Sequence, residues 1–170
     1  MRHRLISLLM LGLAAVGCAA QATDPAVRAL EAQVGEAINA PGITVVHFWA
    51  PWCPNCKAEL DSGGWGKFIA ANPDVNLIFI TIWPGPHDDG RAMLAGYGLG
   101  PQKNFRLLVH PNRSLRDADK MREFMGMPVT WIPATWVFRE GKLRYALNYG
   151  EVRFPMLQQL VDDASDYWAR

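Results

Sequence analysis

The chain has 170 residues, half of them apolar and 19% charged. This is the composition of one globular domain with a sizeable core, and it excludes disordered and fibrous classes. The formal charge is +1; without residues 1–22, which hold Arg2 and Arg4 and no acid, Lys plus Arg falls from 17 to 15 against 16 acids, so there is no electrostatic footprint for nucleic acid or an anionic membrane surface.

In chain order, the first predicted feature is an export signal over residues 1–22. Arg2 and Arg4 make a basic head, and residues 5–17 (LISLLMLGLAAVG) form an uncharged apolar run too short for a transmembrane span. Two processing readings stand open. Ala20-Gln21-Ala22 is an A-x-A cleavage site that would release a chain starting at Thr23. Ala15-Val16-Gly17-Cys18 resembles a bacterial lipobox, in which Cys18 would carry the lipid and supply the only membrane attachment. In both readings the mature domain retains only Cys53 and Cys56, and it is expected to work outside the cytoplasm, where disulfides persist.

Residues 23–170 read as one domain. Thr23-Asp24-Pro25 caps and opens a helix, with Val27, Leu30, Val34 and Ile38 at helical spacing, to about Ala40. Residues 43–50 (ITVVHFWA) form a continuous β-branched and apolar run, the pattern of a strand buried on both faces. Pro51 ends it, and a helix is predicted from about Cys53. Asp61-Ser62-Gly63-Gly64 predicts a break in that helix, because each glycine costs about 1 kcal/mol relative to alanine. Residues 75–83 form a second buried strand, and Asp88 or Asp89 caps a helix to about Tyr97. A short apolar run covers 105–109, and a helical pattern covers 114–124. Residues 134–138 and 142–148 form a hairpin about Arg139-Glu140-Gly141. Pro155 opens a last helix with Leu157, Leu160, Val161, Ala164 and Trp168 on one face. Strands alternating with helices, then a hairpin and a helix, give an α/β fold with a mixed sheet.

The chemistry centres on Cys53-Pro54-Asn55-Cys56. Structural zinc needs four ligands, usually two such pairs, and His3, His47, His87 and His110 show no ligand spacing. A disulfide across so short a loop adds little as a staple. At a helix start, however, residues three apart share a face. The free N–H groups and the helix dipole favour an anion at Cys53, while Cys56 lies one turn inside. An exposed attacker and a sheltered resolver are what thiol–disulfide exchange requires.

These residues carry a family resemblance. Val46 to Cys56 (VHFWAPWCPNC) resembles the active-site segment of thioredoxin-fold proteins, and Trp131-Ile132-Pro133-Ala134-Thr135 resembles their cis-proline loop. Trp-Cys-Pro-x-Cys-x-x-Glu, matched through Glu59, resembles the exported TlpA/ResA-like reductases, including those of cytochrome c maturation. The resemblance implies a thioredoxin-like fold, a central mixed sheet flanked by helices. It implies an oxidoreductase acting on protein thiols and disulfides, with the Cys53–Cys56 disulfide as its redox group and no dissociable cofactor. Trp52, Pro54, Ile132 and Pro133 would contact the substrate, and a membrane-embedded electron donor such as a DsbD-like protein would re-reduce the pair.

Thioredoxins place a buried acid where this chain has His47, so the proton route is open between His47 and Glu59. His47 reads either as a neutral core histidine or as a proton relay to Cys56. Glu59 reads either as an exposed helix carboxylate or as the acceptor of the Cys56 proton. Three rivals remain: a disulfide donor to folding proteins, a copper-binding metallochaperone of the same fold, and a structural domain whose cysteine pair is idle. Met121, Met125 and Met127 suggest soft-metal ligands, but Met121 and Met125 at helical spacing also read as core. Trp49, Trp52, Trp83 and Trp131 are candidates for an aromatic wall around the cysteines.

Overall fold

The computed structural model describes residues 24–165 except 86, 115, 148 and 149. The predicted export segment with Cys18, the end of the predicted hairpin at Asn148, and Trp168 lie outside the described residues.

Asp24 caps helix α1 (Pro25–Asn39), its carboxylate accepting the Ala26 N–H at 2.8 Å, with Pro25 in the first turn. Strand β1 (Ile43–Trp49) follows and is buried along its whole length. Two short helices come next, α2 (Pro54–Asp61) and α3 (Gly64–Ala71), and then β2 (Asn76–Thr81), α4 (Arg91–Gly96) and β3 (Phe105–Val109). A 3-10 turn (Asp117–Asp119) and a two-stranded ribbon, β4 (Glu123–Phe124) and β5 (Met127–Pro128), lead to β6 (Ala134–Arg139), β7 (Lys142–Leu147) and α5 (Phe154–Ser165).

The main sheet has the order β3-β2-β1-β6-β7. β1 pairs parallel with β2 and antiparallel with β6, so the central strand joins the two halves. β3 extends the parallel half and β7 the antiparallel half. Alternation along β1 and β6 sorts the core into two layers. Val46, Phe48, Trp136 and Phe138 face the α1 side, where Thr44 Oγ1 donates to the Ala37 carbonyl at 3.0 Å. Val45, His47, Thr135 and Val137 face α3 and α5, with Trp65 of α3 packed on His47 and Phe79. The α/β class with a mixed, helix-flanked sheet is as the sequence predicted.

Four local expectations change. The helical pattern over 114–124 folds as the 3-10 turn and β4, because Asn112 and Ser114 side chains take the backbone N–H groups of Ser114 and Arg116 at 2.9 and 3.2 Å. Such local bonds compete with helix formation. Met121 and Met125 are therefore not one helical turn apart. Met121 is buried, and Met125 sits at the ribbon turn with φ +51°. The cap of α4 is Gly90 rather than an aspartate; Asp88 and Asp89 instead accept from the Gly90 and Arg91 N–H groups. Gly90 has φ +81°, and a Cβ there would lie 2.5 Å from the Trp49 indole. Trp49 accordingly belongs to the core, against Phe79, and not to an active-site wall.

Candidate active site

Strand β1 delivers the chain to the cysteines. Ala50-Pro51-Trp52 turns out of the sheet, the Cys53 N–H donating to the Ala50 carbonyl at 3.1 Å. Cys53 is the cap of α2 and Pro54 its first residue. The Cys53 Sγ accepts the Cys56 N–H at 3.3 Å, a sulfur in the place where a serine or aspartate oxygen usually caps a helix. On its other side this thiol lies 3.8 Å from the Ile132 carbonyl, beside the cis Ile132–Pro133 bond. Both cysteines are thiols. Cys53 is only 5% exposed and Cys56 1%, so the expected contrast between an open attacker and a sheltered resolver is smaller than predicted. Cys53 is nevertheless reached through a cleft that it lines. Burial pushes the Cys56 thiol well above its ordinary range, and its hydrogen bond to Cys53 and the nearby Glu59 carboxylate push the same way.

Behind Cys56 a polar network crosses the core. Glu59 is buried, not an exposed helix carboxylate. Its Oε1 accepts the Val152 N–H at 2.6 Å; its Oε2 accepts the Trp65 indole N–H at 3.1 Å and lies 3.2 Å from His47 Nε2. His47 Nδ1 lies 2.9 Å from Thr135 Oγ1. With the imidazole proton on Nε2, the histidine donates to Glu59 and accepts from Thr135, and every polar atom of the chain Thr135–His47–Glu59 is partnered. Phe79 and Trp65 pack at tilted angles on the buried imidazole, with ring centroids 4.6 and 4.5 Å away. His47 and Glu59, which stood as alternatives in the sequence, are thus two ends of one contact.

In front of Cys53 the cleft holds about 360 Å³ and is lined by Trp52, Pro54, Trp83, Lys120, Trp131 and Ile132, among others. Trp52 and Trp131 are about half exposed. Trp52 stacks on Trp83 at 6.4 Å and donates its indole N–H to the Trp83 carbonyl at 2.9 Å. A larger cleft of about 420 Å³ at the β3 edge shares no lining residue with this one.

The arrangement can be compared with known proteins. No family model matches the chain. It is 36% identical over 86 residues to the sporulation thiol-disulfide oxidoreductase A of Bacillus subtilis (strain 168), a match covering 45% of this chain and 51% of that protein. The chain therefore spans about half the length of the curated relative it matches. Among solved structures it is similar to a secreted disulfide oxidoreductase of Mycobacterium tuberculosis homologous to E. coli DsbE. That similarity has a TM-score of 0.50 and 25% identity, covering 72% of this chain and 81% of that one. A DsbF homologue from Corynebacterium diphtheriae shares the fold, with a TM-score of 0.53, 18% identity, and coverage of 75% and 74%.

The chain has a thioredoxin-like fold. In this thioredoxin-like fold the structure brings Cys53, Trp52, Pro54 and Ile132 to one cleft, with Cys56, Glu59 and His47 in sequence behind it. Pro133 is buried at the base of the loop beside Thr135. Sequence reasoning missed Thr135, Trp65 and Val152 as members of the network, and Lys120 and Arg122 as members of the cleft. Thr135 had a signal: it lies two residues after Pro133 in a strand opposite His47. Val152 had none, since it contributes a backbone N–H.

Proposed function

We propose that this chain is an exported thiol–disulfide oxidoreductase that reduces the disulfides of partner proteins. The observation carrying this reading is the placement of the Cys53 thiol between the Cys56 N–H and the Ile132 carbonyl, on the floor of an open cleft. As a thiolate, Cys53 attacks one sulfur of a substrate disulfide. A Cys53–substrate disulfide forms, and the other substrate sulfur leaves as a thiolate that takes up a proton. Cys56 then gives its proton to Glu59 and attacks the Cys53 sulfur, and the second substrate sulfur leaves as a thiolate that takes up a proton. Two electrons pass to the substrate, and the pair ends as a Cys53–Cys56 disulfide. Glu59 is suited to this step because it lies close enough to Cys56 to raise its thiol electrostatically, while His47, Trp65 and Val152 hold the carboxylate in place.

The reducing direction is supported by the same surroundings. A strong oxidant stabilises its reduced thiolate. Here burial and a carboxylate act against the Cys56 thiolate, so Cys56 contributes none of the reduced-thiolate stabilisation that marks a strong oxidant. Export is supported by the basic head and apolar run of residues 1–22, and re-reduction by a membrane electron donor follows from the family resemblance. Equilibration against glutathione and dithiothreitol buffers tests the direction. A potential nearer about −270 mV than about −120 mV is expected, and one at the upper end would make the protein a disulfide donor. Cys56→Ser should accumulate mixed disulfides with partner proteins in periplasmic extract; their complete absence would count against exchange.

A further inference from the structure

The cleft in front of Cys53 has a charged wall that exchange chemistry alone does not require. Lys120 and Arg122 both line it, brought there by the segment between β3 and β6. The carboxylate lining the same cleft is Asp117, and the two cations share it: Lys120 Nζ lies 3.1 Å from Oδ1, and an Arg122 guanidinium N–H donates to Oδ2 at 2.9 Å. The lining therefore has two cations against one anion. Lys120 is also fixed in position, its ammonium 5.9 and 5.7 Å from the ring centroids of Trp52 and Trp83. Trp83 itself has φ +50°, a conformation that costs a bulky residue of order 1–3 kcal/mol and that recurs at functional sites. It is held by the indole N–H of Trp52 on its carbonyl and by its own indole N–H on the Met121 carbonyl at 2.9 Å. The platform under the ammonium is thus built by two hydrogen bonds against a strained backbone.

Resting on the exchange reading above, we infer that Lys120 and Arg122 select substrates by charge: the preferred partner carries an aspartate or glutamate within one or two residues of its disulfide cysteine. The volume, about 360 Å³, is at the lower end of the range for binding pockets and suits a short extended segment. With the substrate sulfur at Cys53 and its backbone along Ile132, a neighbouring side chain enters between the tryptophans and meets the two cations. Lysine and arginine each have further donors beyond the one engaged by Asp117.

Short peptide disulfides with Glu, Gln or Lys next to the cysteine test this, using the full reduced protein and dividing each rate by that of dithiothreitol on the same peptide. The Glu peptide should be reduced about three- to tenfold faster than the Gln peptide, with the Lys peptide slowest, and the preference should shrink at 0.5 M salt. Lys120→Gln should bring the Glu-to-Gln ratio towards one, and Arg122→Glu should turn the preference towards the Lys peptide. Equal rates for Glu and Gln peptides would overturn charge selection and leave the exchange activity standing. No reduction of any peptide would overturn both.

Discussion

In the proposed exchange, Cys56 and Glu59 are the residues whose surroundings decide the chemistry. With Cys53 replaced by serine, alkylation of Cys56 should be slow at neutral pH and should rise only above the ordinary thiol value of 9.0, because burial first and the Glu59 charge in addition oppose its thiolate. Glu59→Gln removes that charge, so alkylation of Cys56 should become faster while turnover of a protein disulfide becomes slower. Opposite changes in the two measurements are expected only of a group that both repels the thiolate and accepts its proton. His47→Leu should cost about 1–3 kcal/mol in urea unfolding, because it leaves the buried Glu59 carboxylate with only the Trp65 and Val152 N–H donors and takes the imidazole from the Thr135 hydroxyl. Adding Glu59→Leu should recover part of that loss, which a double-mutant cycle would show.

At the scale of elements, the break between α2 and α3 lets Trp65 reach Glu59. Gly63 takes φ +65°, and a Cβ on Gly64 would come within 2.1 Å of the Phe154 ring, so α3 and α5 meet at a point with no room for a methyl group. Trp65 then packs edge-on against Phe154 at 5.1 Å while its indole N–H reaches the carboxylate. Gly64→Ala should therefore destabilise the protein by about 1–3 kcal/mol, and less in a Phe154→Leu background. Gly66, two residues on, has nothing within 4 Å of its Cβ direction. Gly66→Ala should raise stability by up to about 1 kcal/mol through helix propensity. Thermal unfolding of the two variants should show shifts of opposite sign. The hairpin between β6 and β7 is a second element set by backbone geometry: Glu140 and Gly141 both have positive φ, which matches a two-residue turn to the strand twist.

Across the whole molecule, one histidine outside the site links stability to pH. Burial holds His110 below its ordinary value of 6.5, against the pull of Glu31 and Asp24, and its Nδ1 accepts the Asn112 N–H at 3.2 Å. Below about pH 6.5 the unfolded chain takes up a proton that the folded chain refuses. The unfolding free energy should therefore fall as pH drops through 6.5, by at most about 1.4 kcal/mol per pH unit from this group. His110→Gln should flatten that slope in urea titrations between pH 7 and 5. Exposed Asp61 and Asp117 and half-buried Asp89 and Asp119 are all held low by hydrogen bonds or ion pairs, so their contribution is lost only nearer pH 4 and below.

The fold was legible because its determinants are local in sequence. The apolar run of residues 43–50, the proline that ends it, and the Cys-Pro-x-Cys helix start each specify their own backbone, and they fold as read. The cysteine pair was legible for the same reason. The 114–124 segment was misread because side-chain bonds from Asn112 and Ser114 override an apolar spacing that would otherwise support a helix. What only the tertiary structure decided is the company the cysteines keep. His47 and Glu59 are twelve positions apart, Thr135 and Val152 lie on distant elements, and the sheet register and helix break bring them within hydrogen-bond distance. Lys120 and Arg122 likewise reach the cleft from a segment with no motif of its own. Backbone conformation depends mainly on neighbours along the chain. Proton affinity and the charge of a cleft depend on neighbours in space, so the sequence by itself determined that this protein has a Cys-x-x-Cys pair at a helix start, and the packing around that pair decided what opposes the Cys56 thiolate and what lines the cleft before Cys53.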